Sequence, residues 1–456
     1  MKADVGQLKE EQSHHSLNDT FVQVSPPRTF YLSVRTKFFV STTIAILWLL
    51  FSVWLARAWT ADLSNLMGWP AAYLIIAFIA LIPGFLNAHL VSSVLLDSPP
   101  ALRTEIVFPP ISLLLAAYNE EASLPETLRS IRTQDYPNDL EVIVVDDGST
   151  DGTLEILKSS GMSNLKIVHA NHGGKSAALN EGFKHVTHRI TVSIDADTFL
   201  HPEALKRIVA RLLTDPPGTA AVAGCVMVKN SRASFLTRLQ EWDYFAGIAS
   251  AKRQQSLYQG TLVAQGAFSA FRTDAIRAIH GWPEVIGEDI VMTWALLKQG
   301  WRVGFEATAI GFTEAPTDFW GFVKQRKRWA RGMIEGLKRH GGLVWRGSLS
   351  GFFVAIDFII PLIDFFYTFA FLPGVLLAAM GYYYIVGPLT LLVMPLALLI
   401  VVILYKKQLQ VFDGLNLKMR RNWLGFLVYM LVYQAIMSPV CVVGYCQEIL
   451  GMRKRW

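Results

Sequence analysis

Two long apolar segments near the amino terminus constrain this chain more than any other feature of its sequence. Residues 38–56 form a run of 19 residues without a charge, and a second apolar run covers residues 69–91. Each is as long as the ~20 residues that an α-helix needs to cross the ~30 Å hydrocarbon core of a bilayer. We therefore predict two transmembrane helices within residues 38–96.

The composition agrees with a membrane protein and excludes several other classes. Hydrophobic residues make up 52% of the chain and charged residues only 17%, whereas soluble chains usually carry ~25% charged residues. Three cysteines are too few for a disulfide framework, and no C-x-x-C spacing indicates zinc. The net charge of +6 fits basic cytoplasmic loops better than a nucleic-acid surface, so no nucleic-acid partner is expected.

Changes in composition divide the chain into four parts. We predict a flexible cytoplasmic tail at residues 1–37, two transmembrane helices at 38–96, a cytoplasmic globular domain at 97–350, and two to three transmembrane helices at 351–456. Arg28, Arg35 and Lys37 precede the first apolar segment, which puts the amino terminus in the cytoplasm by the positive-inside rule.

The number of carboxyl-terminal spans is harder to read from the sequence. Residues 352–405 are long enough for two spans with a break near Gly387 and Pro388, residues 406–423 form a basic loop, and residues 424–445 are long enough for a further span. We predict five spans, although this count would place the basic tail at Arg453 and Arg455 outside, against the charge rule. The alternative is that residues 424–445 bend back near Pro439.

The globular part has the pattern of an α/β domain. Short apolar runs at residues 111–117, 141–147, 165–170 and 191–195 are separated by segments of helical length, such as residues 124–134. Continuous apolar strands alternating with helices indicate a mostly parallel sheet with helices on both faces.

Polar residues that could hold a nucleotide follow the first three predicted strands. Tyr118 and Glu120 follow the first strand, Asp147 follows the second, and Lys175 comes after a Gly-Gly pair beyond the third. Ligands of open α/β sheets bind at the carboxyl ends of strands. Simpler alternatives exist for each motif: Asn119 as a helix cap, an Asx turn after Asp147, and a solvated lysine. Neither a G-x-G-x-x-G nor a P-loop pattern is present.

Two further acidic motifs suit metal binding and proton transfer. Asp195 and Asp197 stand just past a buried strand, and alternate residues there share one side, where two carboxylates could hold Mg²⁺ together with substrate phosphates. Chance alone produces such pairs in a chain with 36 acids, so the position after the strand is what singles this pair out. Glu288 and Asp289 begin a predicted helix and are either a helix-dipole pair or a general base.

The last soluble motif is basic and aromatic. In KQRKRWAR, Gln325, Arg328 and Trp329 fall on one helix face, where a guanidinium beside an indole suits a diphosphate next to a sugar. The alternative is an amphipathic helix on anionic lipid. Farther on, Asp357 and Asp364 share a face of an apolar segment and either line a pore or lie at the interface and pair with another span.

In their order along the chain, these motifs resemble those of the processive membrane glycosyltransferases of family 2, which include cellulose, chitin, hyaluronan and poly-N-acetylglucosamine synthases. The matching features are the acid of D-D-G-S, a D-x-D pair, an E-D pair and Q-x-x-R-W, all lying between apolar segments. KQRKRWARG after GEDI is most similar to the poly-β-1,6-N-acetylglucosamine synthases. The resemblance implies a GT-A fold, a UDP-sugar donor, Mg²⁺ or Mn²⁺, and inversion at the anomeric carbon.

The resemblance also implies roles for individual residues. Tyr118 and Asp147 would hold the uridine, Lys175 would lie near the diphosphate, and Asp289 would be the base. Asp195 and Asp197 would bind the metal and diphosphate, with Asp197 the preferred ligand. Gln325, Arg328 and Trp329 would brace the diphosphate and the acceptor sugar.

The implied setting is a bacterial inner membrane, where a growing polysaccharide, the lipid bilayer and a small membrane subunit would be the partners. Two alternatives are a transferase that adds one sugar to a polyprenyl phosphate and an inactive nucleotide-binding scaffold.

Overall fold

The computed structural model of the protein describes residues 32–387, 390 and 393–452. Most of the predicted tail, residues 1–31, therefore lies outside the described residues, as do Pro388 at the predicted break and the basic residues 453–455.

An eight-stranded sheet forms the centre of the globular domain, in the order β3-β2-β1-β4-β7-β6-β8-β5. The predicted strands are all present, with ends shifted by at most one residue. The strands are β1 Ile111–Ala117, β2 Leu140–Asp146, β3 Leu165–His169, β4 Ile190–Asp195, β5 Phe199–Leu200, β6 Thr219–Val228, β7 Phe268–Arg272 and β8 Arg302–Thr313.

Half of this sheet is parallel and half is mixed. Strands β3, β2, β1 and β4 pair in parallel, because a helix between each of these strands and the next in sequence carries the chain back to the same edge of the sheet. Strand β7 pairs antiparallel with both of its neighbours, β4 and β6, while β6 and β8 are parallel. The prediction of a mostly parallel sheet is therefore confirmed, with an antiparallel insertion that the apolar pattern did not reveal.

Helices cover both faces of the sheet, as predicted. One core joins the sheet to α5 and α8, and a second core on the opposite face joins it to α7, α10 and α12. The domain helices are α5 Leu124–Arg132, α6 Thr153–Ser159, α7 Lys175–Phe183, α8 Ala204–Thr214, α9 Phe235–Trp242, α10 Ala249–Leu257, α11 Thr273–Ala278, α12 Glu288–Lys298 and α13 Phe319–His340.

Apolar helices flank the domain on both sides in sequence. Before it come α1 Val34–Leu55, α2 Arg57–Met67, α3 Trp69–Ile76 and α4 Ile82–Leu95; after it come α14 Leu349–Phe366, α15 Leu372–Ala379, α16 Val393–Asp413, α17 Trp423–Val428 and α18 Gln434–Ile449. Short π-helical turns join α3 to α4, α14 to α15 and α17 to α18.

Among the described residues, four of these helical segments are long and apolar enough to cross a membrane: Val34–Leu55, Trp69–Leu95, Leu349–Ala379 and Trp423–Ile449. They agree with the apolar segments of the sequence. The other predicted span overlaps α16, whose side chains at 393–396 lie outside the described part of the chain. The count of five spans stays a prediction.

Close packing of α7 on the sheet depends on a glycine. A Cβ at Gly182 would lie 2.5 Å from Val145 Cγ2 and 2.6 Å from Leu114 Cδ1. We predict that Gly182→Ala lowers the free energy of unfolding by about 1–3 kcal/mol, the usual cost of overpacking. Thermal unfolding in detergent would measure the loss. Gly342→Ala, at a position with no atom within 4 Å, is the matched control, and an equal shift in both variants would contradict this packing account.

Candidate active site

The carboxylate of Asp147 organises the glycine loop after β3. Asp147 is buried just beyond the end of β2, and its two side-chain oxygens accept hydrogen bonds from the backbone N–H groups of Gly173 and Gly174, each at 2.9 Å. Gly174 has φ of 87°, a conformation that favours glycine. The structure thus joins two motifs that lie 26 residues apart in the sequence.

Tyr118 lies beside this loop and is stacked on a histidine that the sequence analysis missed. The rings of Tyr118 and His172 are 4.1 Å apart with an angle of 24° between their planes, and Nδ1 of His172 lies 3.0 Å from a carboxylate oxygen of Asp147. Tyr118 remains 42% exposed, so an aromatic surface is open next to a buried acid. The position of His172 directly before the glycine pair was the available signal.

The simple capping role considered for Asn119 is wrong. Helix α5 begins at Leu124 after Ser123, whereas Asn119 has φ of 54° and its side-chain oxygen accepts a hydrogen bond from the Thr150 N–H at 2.8 Å. Asn119 therefore ties the loop after β1 to the loop after β2. In that second loop Asp151 accepts from the Thr153 N–H at 3.0 Å, as expected of an Asx turn.

Lys175 is the electrostatic centre of the site. Its ammonium lies 2.6 Å from Asp195 Oδ1 and 3.1 Å from Glu288 Oε1. Burial acts to lower the pKa of Lys175, but the charges of Asp195 and Glu288 raise it above its ordinary value. The solvated-lysine alternative is therefore wrong, because this side chain joins the acid at the end of β4 to the acid at the start of α12.

Two further carboxyl groups crowd the same place. Burial, together with the charges of Asp195 and Glu120, raises the pKa of Asp197 to about 7. Burial also raises the pKa of Glu120, although Ser123 Oγ donates a hydrogen bond to its carboxylate at 2.5 Å. Carboxylates therefore outnumber positive charges in this part of the site.

This donor set fits a divalent cation held partly by substrate. Within the described residues there is no group of three or more His, Cys, Asp and Glu side chains arranged to hold a metal by themselves. Mg²⁺ is usually bound by one or two carboxylates together with substrate phosphates and water. Asp195 and Asp197 supply two carboxylates, and the excess of negative charge around them would be relieved by such a cation.

Glu288 and Asp289 occupy the first turn of α12, where the chain passes very close to α13. A Cβ on Gly287 would lie 2.5 Å from the Cα of Gly332, and the Gly287 N–H donates to Glu335 Oε2 at 3.0 Å. Only paired glycines permit this approach of two backbones. It brings the helix that carries Q-x-x-R-W against the start of α12.

A buried lysine lies beneath the same turn and was not expected from the sequence. Lys252 on α10 donates hydrogen bonds to the carbonyl oxygen of Val263, at 3.1 Å, and to the side chain of Gln265. Burial lowers its pKa to about 8, while the nearby charge of Asp289 acts in the opposite direction. Lys252 is therefore a second buried positive charge, close enough to Asp289 to interact with it.

The basic helix differs in one respect from the expectation. Arg328 and Trp329 are exposed and Gln325 is half-buried, but the guanidinium beside the indole belongs to Arg326, 4.2 Å from the centre of the Trp329 ring. Arg326 is buried and pairs with Asp243 at 2.8 Å. The helical spacing alone could not distinguish which of two neighbouring arginines turns inward.

The two acids in the apolar segment have different surroundings. Asp364 is buried and accepts hydrogen bonds from Ser438 Oγ at 2.6 Å and Tyr445 Oη at 2.8 Å. This agrees with the alternative that Asp364 pairs with another apolar helix rather than lining a pore. Asp357, about two turns earlier on α14, is half-buried.

The mixed sheet, with acidic residues at its strand ends and helices on both faces, agrees with a GT-A glycosyltransferase domain. The fold comparison agrees: a mannosyltransferase from Pyrobaculum calidifontis, solved in complex with GDP-mannose and Mn²⁺, superposes with a TM-score of 0.53 at 18% identity, over 92% of this chain and 100% of that one. Residues 109–332 match the family described as "Glycosyltransferase like family 2", and this part of the chain belongs to that family.

Curated relatives are similar over the same part of the chain. Poly-β-1,6-N-acetyl-D-glucosamine synthase of Staphylococcus epidermidis is 33% identical over 232 residues, which are 50% of this chain and 56% of that protein. The synthase of Staphylococcus aureus strain COL is 32% identical over the same lengths. The alignment thus spans about half the length of the curated relatives.

The ion pairs of Lys175 make a prediction about stability. Replacing Lys175 by Met leaves Asp195 and Glu288 facing each other without a cation. Because these groups are partly screened by solvent, we expect a loss of about 1–2 kcal/mol in the free energy of unfolding. Lys184→Met, at the exposed end of the same helix, should change stability by less than about 0.5 kcal/mol. Equal losses for Lys175→Met and Lys184→Met in thermal unfolding would show that the ion pairs of Lys175 do not stabilise the fold.

Proposed function

We propose that this chain is a processive, inverting glycosyltransferase that extends a polysaccharide from a UDP-sugar and passes it across the membrane. The best candidate for the donor is UDP-N-acetylglucosamine and for the product poly-β-1,6-N-acetylglucosamine. The observation that carries the proposal is the bridge from Asp195 through Lys175 to Glu288, at 2.6 and 3.1 Å. It joins the acids proposed for the donor to the pair proposed for the acceptor.

In this proposal the open surface near the carboxyl ends of β1 and β2 receives the uridine. Tyr118 offers an exposed aromatic face, with Asp147 beside it holding the glycine loop. The diphosphate would extend towards Lys175 and Asp195, where Gln325, Arg328 and Trp329 would brace it and the acceptor sugar. Arg326 and Asp243 would hold the Trp329 ring from behind.

The transfer itself would be a single displacement. The carboxylate of Asp289 takes the proton of an acceptor hydroxyl as its oxygen attacks the anomeric carbon, and the bond from that carbon to the diphosphate oxygen breaks on the opposite face. Glu288 would keep Lys175 in place below the reacting groups. When bound, Mg²⁺ or Mn²⁺ at Asp197 and Asp195 would offset the charge that develops on the leaving UDP. The displacement requires no covalent intermediate on the protein.

The proposal also includes a product, a partner and an orientation of the domain. The relatives named poly-β-1,6-N-acetyl-D-glucosamine synthases favour N-acetylglucosamine, while the shared motifs also suit cellulose, chitin or hyaluronan. The domain, placed at residues 97–350, would face the cytoplasm, where nucleotide sugars are available. A small membrane subunit would supply further helices to a channel that few spans can form alone.

We predict that Asp289→Asn abolishes sugar transfer, because the amide cannot accept the proton. The rate should fall by at least about 1,000-fold, where each tenfold corresponds to about 1.4 kcal/mol. Binding of the UDP-sugar should change by less than about threefold, since the base acts only when the acceptor attacks. Release of UDP and calorimetric binding would measure the two effects. Asp274→Asn, in the first turn of α11, is the matched control. UDP release at the wild-type rate in Asp289→Asn would exclude the base role.

We predict that transfer requires Mg²⁺ or Mn²⁺ and that Asp197→Ala weakens both donor binding and turnover. The diphosphate would otherwise face Asp195 and Asp197 without a counter-charge. Titration of chelator-treated protein with each cation, followed by donor binding and UDP release, would measure the requirement. Full activity in excess chelator would contradict the metal proposal, and transfer of a single sugar to polyprenyl phosphate would favour the alternative enzyme class.

A further inference from the structure

The last apolar helix, Trp423–Ile449, contacts the glycosyltransferase domain at both of its ends. We propose that it does not cross the membrane but lies on the membrane surface at the side of the domain, with its outward face against lipid. The proposal concerns topology and a lipid surface, and it does not depend on the identity of the sugar.

The first end of this helix is fixed on α9. The side chain of Asn422, directly before the helix, donates hydrogen bonds to the carbonyl oxygen of Arg238 at 2.9 Å and to Glu241 Oε2 at 2.6 Å. The indole N–H of Trp242 donates to the carbonyl oxygen of Asn422 at 3.0 Å. Asn422 is buried by these contacts.

The middle of the helix follows α13. Tyr433 Oη donates to Asp243 Oδ2 at 2.9 Å, and the same carboxylate oxygen lies 2.8 Å from Arg326. About one turn further along α13, the backbone at Gly444 is so close that a Cβ there would lie 2.8 Å from the Cβ of Ala330. The two helices therefore run side by side in the same direction.

The second end is fixed by a buried ion pair. The carboxylate of Glu448 lies 3.0 Å from Nη2 of Arg331, and its Oε1 lies 3.6 Å from Lys338. Arg331 also donates to the carbonyl oxygen of Met452 at 2.8 Å. The chain thus remains beside α13 until its last described residue.

These contacts are incompatible with a helix that crosses the bilayer. Its 27 residues are about 40 Å long, more than the ~30 Å hydrocarbon core, so a crossing helix would leave one end on the far side. The neighbour α13 carries the sequence KQRKRWAR, and so many charges could not follow it into hydrocarbon. Both helices must lie at the surface.

The first two candidate spans differ from this helix, because they contact the domain at one end only. The first and second candidate spans each contact the domain at one end, where Ser41 and Ser93 lie 3.2 and 2.9 Å from Tyr258 Oη. At their other end Trp59 donates to the carbonyl oxygen of Tyr384, after α15, at 3.0 Å. The link after α1 and the segment after α15 therefore meet on the side away from the domain.

Helix α16 then returns the chain to the domain. Its Lys407 carbonyl oxygen accepts from Arg253 at 3.3 Å. Crossings by α1, α3–α4, α14–α15 and α16 make four, an even number, which returns the chain at Met452, its last described residue, to the side of the domain. The conflict between five spans and the positive-inside rule disappears in this arrangement.

Lipid is the occupant that fits the outward face of the helix. Exposed apolar side chains lie in the first part of the helix, at Leu424, Leu427, Leu431 and Val432, and near its end, at Val443 and Ile449. The opposite face contacts the domain and, through Ser438, Asp364 of α14. The part of α14 before Asp364 packs in a core of the domain through Phe353 and Val354, so we place this contact on the domain side of that candidate span. A helix that is attached to a spanning helix on one side and to a polar domain on another lies where bilayer and water meet.

The side of the chain end can be measured with single cysteines. In a variant with Cys225, Cys441 and Cys446 replaced, we would introduce Met452→Cys, with Lys158→Cys as the marker of the domain and Asn65→Cys as the marker of the far side. An impermeant maleimide is added to intact cells and to inverted vesicles. We expect Met452→Cys to be labelled only in the preparation that labels Lys158→Cys.

Labelling of Met452→Cys together with Asn65→Cys would overturn the proposal. If Met452→Cys and Lys158→Cys are both labelled in intact cells and Asn65→Cys is not, the proposal stands and the cytoplasmic orientation of the domain fails. The two failures are therefore distinguishable.

A second measurement gives the depth of the helix in a membrane. Leu424 and Val432 are about 12 Å apart along its axis and are both exposed. Each is replaced by a bimane-labelled cysteine in protein reconstituted into phospholipid brominated at a shallow or a deep position of the acyl chain. We expect equal quenching, strongest with shallow bromine. Deep quenching of Val432 with shallow quenching of Leu424 would indicate a crossing helix, and no quenching of either would exclude lipid; both results contradict the proposal.

Discussion

The catalytic half of this structure depends on one ammonium group held between two carboxylates. Lys175 starts α7, Asp195 ends β4 and Glu288 starts α12, so three elements distant in sequence converge on one charge. Without that charge the acids at this edge of the sheet would repel each other. With it, they remain close enough for a cation and a diphosphate to be added, as the proposed transfer needs.

Helix α13 contacts both the start of α12 and the last apolar helix. One side of α13 approaches α12 through Gly287 and Gly332, which brings it to Asp289. Another side holds the last apolar helix through Arg326 and Arg331. The positions of α12 and of the last apolar helix therefore both depend on α13.

Much of the fold could be predicted from the sequence because its signals are local. The strands β1 to β4 are continuous apolar runs, and the acids that follow them lie at strand ends by geometry alone. The apolar spans follow from their length. The antiparallel strand β7 was not predicted, because its pairing depends on a long return of the chain through α9 and α10 and not on a pattern within residues 268–272.

The site could be predicted only as a set of residues. Sequence spacing suggested Asp195, Glu288 and Lys175 separately, but their two ion pairs arise from tertiary contacts that no local pattern in the sequence records. His172, Arg326 and Lys252 were missed for the same reason, since burial decides which of several basic side chains turns inward. The helix Trp423–Ile449 shows the limit most clearly: its composition indicates a span, while its contacts indicate a surface helix.

The most direct measurement is the product itself. Purified protein, alone and with membrane extract, is incubated separately with UDP-N-acetylglucosamine and UDP-glucose, and any polymer is digested with linkage-specific hydrolases. We expect a polymer from UDP-N-acetylglucosamine that a β-1,6-N-acetylglucosaminidase degrades and a cellulase does not. A polymer formed only from UDP-glucose would contradict the proposed donor, and release of UDP without any glycan longer than the acceptor plus one sugar would contradict processive synthesis.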